Sequence, residues 1–323
     1  MKNIFKRIGM VIVGFFAIIL LSIGVSFINH QMNLSREDAL FIPNGRMVEV
    51  NEHSMHVYSE GEGDVTLVFM SGGGTSSPVL DFKSLYSELS DQYRIVVVEK
   101  AGYGFSEISD ITRDIDTILS ETRAALSKVE IKGPYVLMPH SMSGIEALYW
   151  AQMYPNEIIG IVGLDMAVPD SYKEYDINMP LIKLSSFGAR VGITRWLPGV
   201  AESDAMKFGT LTDQEKELYK VIFYRRTATQ TMLNEIKEIK ANASKVKEGG
   251  VPNIPMLMFS SNGEGTGWNA DEWKKLQENY IENVEDGNLI HLDVPHYIHN
   301  FEYEKIADET KAFISKRLTK VSE

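Results

Sequence analysis

The chain has 323 residues, 44% hydrophobic and 24% charged, an ordinary globular composition with room for one large α/β domain or a core with an insertion. It has no cysteine, which excludes disulfides, thiolate zinc sites and a cysteine nucleophile. Its formal charge is −12, and Lys2, Lys6 and Arg7 stand ahead of the folded part. The remaining body is therefore more acidic still. It would repel phosphate backbones and anionic lipid, so no nucleic-acid partner is expected and only the N-terminal segment reads as a membrane contact.

Residues 8–28 form an uncharged run of 21 residues, enough for a helix to cross ~30 Å of hydrocarbon. Basic residues precede it and the first 28 residues hold no acidic side chain. A cleaved signal peptide shares that charged start but has a shorter apolar core, and no small-x-small site is evident around residues 27–31. The expectation is an uncleaved single-pass anchor over residues 1–28, N-terminus cytoplasmic and body extracytoplasmic. Residues 29–45 are polar, end in Pro43-Asn44-Gly45 and read as a linker.

A hairpin over residues 47–58 comes next. Apolar strands at 65–70, 95–98, 135–138 and 159–164 then alternate with helical patterns at 80–89, 115–129 and up to 154. Such alternation predicts a mostly parallel central sheet covered by helices on both faces, the α/β class. From 167 to 250 the pattern turns helical, clearest at 215–226 and 229–248, before strands resume at 255–259 and 289–292 and a helix closes at 303–317. The division that follows is a core of 46–166 and 251–323 with a helical cap of 167–250 over the sheet's carboxyl edge, where such sheets bind ligands.

Pro139-His140-Ser141-Met142-Ser143-Gly144 stands between a predicted strand and a predicted helix. A serine there occupies a tight, strained strand-to-helix turn with the next backbone amide facing a ligand. Pro139 and Ser143 replace the two glycines of the G-x-S-x-G elbow. By itself the run also fits a serine-rich helix N-cap.

Further segments make the chain resemble the α/β-hydrolases over residues 46–318. Met70-Ser71-Gly72-Gly73-Gly74 follows the third strand, where that family carries His-Gly-x-Gly, and the resemblance makes Gly73 and Met142 the oxyanion amides. Glu99-Lys100-Ala101-Gly102-Tyr103-Gly104-Phe105-Ser106 is similar to the family's Asp-x-x-Gly-x-Gly-x-Ser signature; it is assigned no chemistry, and its glycine spacing does not fit dinucleotide binding.

A serine nucleophile needs an imidazole base, and the imidazole needs a carboxylate to fix its tautomer. Of seven histidines, His30 lies in the expected linker, His53 and His56 in the hairpin, His140 beside the serine and His291 in a strand. His296 and His299 remain, and Pro295-His296 matches the family's Gly-His position. For the acid the resemblance selects Glu264, past the strand at 255–259, with Asp165 as the alternative. The resemblance implies a serine hydrolase acting on a small carboxylic ester or related acyl substrate, without cofactor or metal. Two other readings are a proline iminopeptidase-like aminopeptidase, with Glu174, Glu202 or Asp204 holding the substrate amine, and a non-catalytic ligand-binding homologue. Haloalkane or epoxide chemistry is disfavoured, because those relatives carry aspartate where Ser141 stands. Apolar cap residues Trp196, Phe208, Tyr219, Phe223 and Met232 are candidate pocket or core residues.

Overall fold

The computed structural model describes residues 2–321. Helix α1 (Lys2–Glu37) leads into β1 (Arg46–Val50) and β2 (His53–Glu60). Their connecting residues Asn51 and Glu52 both have positive φ, as a two-residue turn matching the strand twist requires. Next come β3 (Thr66–Met70), α2 (Pro78–Asp81), α3 (Lys83–Ser87), β4 (Arg94–Glu99), α4 (Ile115–Lys128), β5 (Tyr135–Pro139), α5 (Ser143–Met153) and β6 (Ile158–Leu164). A helical insertion holds α6 (Met179–Arg190), α7 (Asp204–Lys207), α8 (Asp213–Arg226) and α9 (Gln230–Glu248). The chain closes with β7 (Met256–Ser260), α10 (Ala270–Ile281), β8 (Gly287–His291) and α11 (Tyr303–Val321).

The eight strands form one sheet in the order β1-β2-β4-β3-β5-β6-β7-β8. β2 runs antiparallel to β1 and β4, and every other pairing is parallel. β3 and β5 are buried at every position, with Leu67, Phe69 and Met138 facing one apolar layer and Val68 and Leu137 the other. That two-sided burial is why these strands read as unbroken apolar runs rather than alternating ones. The layers anchor the strand ends from which the site residues project.

α10 went unrecognised in the sequence. Its surface positions are charged, but the side chain of Asn269 accepts from the amides of Asp271 and Glu272 to start it, and Trp273 and Gln277, one turn apart, are buried.

The start of the chain corrects one expectation. Residues 29–37, expected within a linker, continue α1, and only the segment up to Gly45 is non-helical. No glycine or proline interrupts residues 29–37, and His30, Leu34 and Glu37 have partners in the insertion. Arg195 grips Glu37 with two bonds of 2.7 and 2.8 Å, and its Nε donates to His30 Nδ1 at 2.9 Å. Arg225 donates to the Leu34 carbonyl and to Asp38. His30 is held below the usual imidazole range by burial and by the adjacent Arg195 charge. Among the described residues α1 is the helix long and apolar enough to cross a membrane, and its apolar part is exposed.

Candidate active site

The site is built where β5 ends. His140 donates its amide to the Met70 carbonyl, extending the β3–β5 ladder by one residue, and the chain then reverses into α5 through Ser141, whose φ is +55°. A non-glycine residue in that region is strained unless its surroundings impose it. Here they do: the Ser141 carbonyl accepts from the Ala167 amide, and the Ser143 hydroxyl is shared between the Met70 and His140 carbonyls at 2.7 and 2.9 Å. Ser143, which replaces an elbow glycine, thus ties the turn together through its side chain. Smallness is enforced one residue later, since a Cβ on Gly144 would stand 2.2 Å from the Ala167 carbonyl oxygen.

Ser141 Oγ lies 2.8 Å from His296 Nε2, and His296 Nδ1 lies 2.5 Å from Asp165 Oδ2. With the carboxylate accepting from Nδ1–H, Nε2 is left to accept the serine proton. Asp165 follows β6 at φ +47°, which turns its side chain back beneath the elbow. Its other oxygen accepts from the Ser261 amide at 2.9 Å, the Trp273 indole at 2.7 Å and the Gln277 amide at 3.1 Å. Burial alone would raise its pKa, but the bond and charge of His296, with the Ser261 amide, outweigh it and hold the carboxyl below its ordinary range. Asp165 is fully buried and His296 nearly so, whereas Ser141 is partly exposed.

Of the residues singled out in the sequence, Ser141, His296 and Asp165 come together. The expected acid Glu264 does not. It stands on the exposed loop after β7, where only its carbonyl oxygen engages His296, accepting the His296 amide at 2.8 Å. The glycines beside it have φ of +91° and +85°, and the loop they bend meets His296 backbone to backbone, with the Glu264 carboxylate away from the imidazole. Gly73 and Met142 are close neighbours: a Cβ on Gly73 would stand 2.7 Å from Met142 Cε.

The other candidate base, His299, donates from Nε2 to Asp81 Oδ2, 2.9 Å away, and both groups are buried. His140 packs on His296 with ring centroids 4.6 Å apart. Its Nε2 faces the His296 carbonyl oxygen at 3.2 Å and must carry the proton, since a carbonyl only accepts. Burial, and the neighbouring His296 and His299, push its pKa well below the usual imidazole value, so it stays neutral.

Between the end of the glycine loop and the insertion a cavity of about 290 Å³ is lined by Gly74, Thr75, Asp81, Asp204, Tyr219 and Tyr297. Glu202 and Phe223 also border it, whereas Glu174 is exposed beside Lys173. Met232 is core; Trp196 and Phe208 are exposed.

The signature segment has structural work to do. Glu99 accepts from the Phe105 amide at 2.7 Å and pairs with His56 at 2.9 Å, and a Cβ on Gly104 would collide with its carboxylate. A network that the sequence did not reveal lies next to it. Buried Lys100 binds Glu146 at the start of α5 and Glu235 on α9, and the Tyr103 hydroxyl donates to Glu235 at 2.6 Å while accepting from the Gly74 amide at 3.3 Å. The only sequence hint was a lysine inside a turn otherwise made of small and apolar residues.

No family model matches the chain. It is 40% identical over 266 residues to the uncharacterized protein YbdG of Bacillus subtilis, covering 81% of this chain and 82% of that one. It is 26% identical over 262 residues to YqjL of the same organism, covering 78% and 87%. Among solved structures it superposes on the epoxide hydrolase VrEH1 of Vigna radiata (TM-score 0.66, 18% identity, 84% of this chain and 97% of that one). It also superposes on a lipase of Acinetobacter baumannii (TM-score 0.65, 15% identity, 90% and 97%). A haloalkane dehalogenase variant of Bradyrhizobium elkanii shares the fold too (TM-score 0.61, 16% identity, 86% and 98%). The sheet order, the strained serine at the strand-to-helix turn and these likenesses lead to one conclusion: the chain has the α/β-hydrolase fold and belongs to one family with YbdG.

Proposed function

We infer that the protein is a membrane-anchored serine hydrolase that cleaves a small carboxylic ester or related acyl substrate by way of an acyl-enzyme. The observation carrying this is the continuous line Ser141 Oγ, His296, Asp165, with contacts of 2.8 and 2.5 Å. In this reading Ser141 Oγ attacks the substrate carbonyl carbon as its proton passes to His296 Nε2. Asp165 keeps the imidazole in the tautomer able to accept it and stabilises the imidazolium. The amides of Gly73 and Met142 hold the oxyanion, each contributing about 3 kcal/mol of barrier lowering. His296 then hands its proton to the leaving group, and the same steps run with water in place of the leaving group to free the acid. Serine at position 141 sets this chain apart from the aspartate chemistry of haloalkane and epoxide hydrolysis. Residues 8–28 serve as the anchor, with the positive N-terminus on the cytoplasmic side.

The test is full-length protein treated with a fluorophosphonate probe and with short nitrophenyl esters. Labelling that disappears in Ser141→Ala, together with ester turnover, is the expected result. An unreactive Ser141 in folded protein would instead favour a ligand-binding homologue.

A further inference from the structure

We propose that the helical insertion is itself seated in the bilayer, through an apolar face made by α6 and the turn after it, next to the point where α1 leaves the membrane. The proposal rests on residues 8–28 being the anchor.

Leu181, Leu184, Phe187, Ile193, Trp196 and Leu197 are exposed, Leu184 at 65% and Trp196 at 60%. On α6 the first three are spaced three apart, so they share one side of the helix, and exposed Lys183 and Arg190 border one edge of that side. A helix with an exposed apolar arc bordered by basic residues is the pattern of a segment lying in a lipid interface, apolar side down and cations at the headgroups. A contiguous apolar patch of this kind on a water-facing surface calls for something to cover it.

The occupant follows from continuity with α1. The Trp196 indole donates to Ser26 Oγ at 3.1 Å, inside the apolar run, and Ile193 and Trp196 line one groove with Ile18, Leu21, Ser22 and Val25. The residue before Trp196 turns the other way: Arg195 binds His30 and Glu37, beyond the run. Two consecutive residues therefore mark a boundary between an apolar and an aqueous level, and the boundary on the insertion coincides with the end of the apolar run on α1. Tryptophan is at home at such a level, where its ring meets hydrocarbon and its N–H meets polar groups. Whatever surrounds Leu21, 69% exposed, must also meet Trp196 and its neighbours. For a membrane-spanning α1 that is lipid.

The absence of cysteine makes the test direct. Single substitutions Leu184→Cys and Phe187→Cys, at exposed sites that folding does not depend on, carry a nitroxide in the full chain. The protein is reconstituted in vesicles of equimolar phosphatidylcholine and phosphatidylglycerol, with Leu21→Cys and exposed Lys275→Cys on α10 as references. Labels at 184 and 187 that collide preferentially with oxygen, like the label at 21, and not with a water-soluble nickel chelate, like the label at 275, support the proposal. In a second measurement, brominated lipid should quench a component of the tryptophan emission that Trp196→Phe removes. Labels at 184 and 187 that behave like 275 while 21 stays in lipid would overturn the proposal and leave the anchor standing. Shielding from both agents with spin–spin broadening would overturn it in favour of a second copy covering the patch. A label at 21 in water would remove the anchor itself and the proposal with it.

Discussion

Asp165 meets His296 at 2.5 Å from the end of β6, the strand next to the one that delivers Ser141. Loss of its charge with shape retained, in Asp165→Asn, should lower ester turnover by about 10⁴-fold, because the imidazole loses its tautomer control. Glu264→Gln should leave turnover within about twofold, a difference of under 1 kcal/mol. Parallel kcat/KM measurements on the two variants check this; a large loss in Glu264→Gln would transfer the acid role to that loop.

Tyr103 links the glycine loop to the insertion through Gly74 and Glu235. Tyr103→Phe leaves a buried carboxylate and an amide each short of a partner, at a cost of about 1–3 kcal/mol in stability. If Tyr103 fixes the loop beside Gly73, kcat should drop about tenfold, which is 1.4 kcal/mol of barrier, with KM nearly unchanged. Steady-state kinetics alongside chemical unfolding separate the two effects. Lower stability with unaltered kcat would make the network purely structural.

Gly144→Ala should cost about 1–3 kcal/mol or more, since the new methyl runs into the Ala167 carbonyl and the Met166 Cβ, neither of them the end of a flexible side chain. Chemical unfolding in detergent micelles measures it. Ser143→Ala, by contrast, should lose only a shared hydroxyl bond, about 1 kcal/mol.

His140 gives a pH prediction with a definite sign. Its folded pKa is depressed, so the unfolded chain takes up a proton below about pH 6.5 that the folded chain refuses. Stability is therefore intact above that pH and falls as pH drops below it, by about 1.4 kcal/mol per unit from this group until its folded pKa is reached. His140→Gln should flatten that part of the stability curve. An unchanged slope in the variant would mean that His140 titrates normally in the folded protein.

The strands were legible because two-sided burial leaves a plain apolar run, as at Thr66–Met70 and Tyr135–Pro139. The serine and the histidine were legible for a related reason, since each sits at a junction between periodic elements. The acid was not. Asp165 and Glu264 both follow strands, and the choice between them depends on which side chain turns inward. That choice is made by Ser261, Trp273 and Gln277, two of them on α10, a helix hidden by its charged surface. The docking of residues 29–37 was equally unreadable, because polar residues that pair with distant arginines look the same in sequence as polar residues in water.

The unbroken course of α1 into the body gives that helix an angular phase. Ser26, His30, Leu34 and Glu37 contact the insertion from one side of the helix, at intervals of four, four and three residues. Each residue advances the helix by about 100° and 1.5 Å. Deleting a single residue between His30 and Leu34 would therefore swing Ser26 and His30 away from Trp196 and Arg195, whereas lengthening the apolar run near its start would not disturb them. The joint acts as a keyed shaft rather than a tether, and the compass bearing of the whole body is set by how many residues lie between its first and last key.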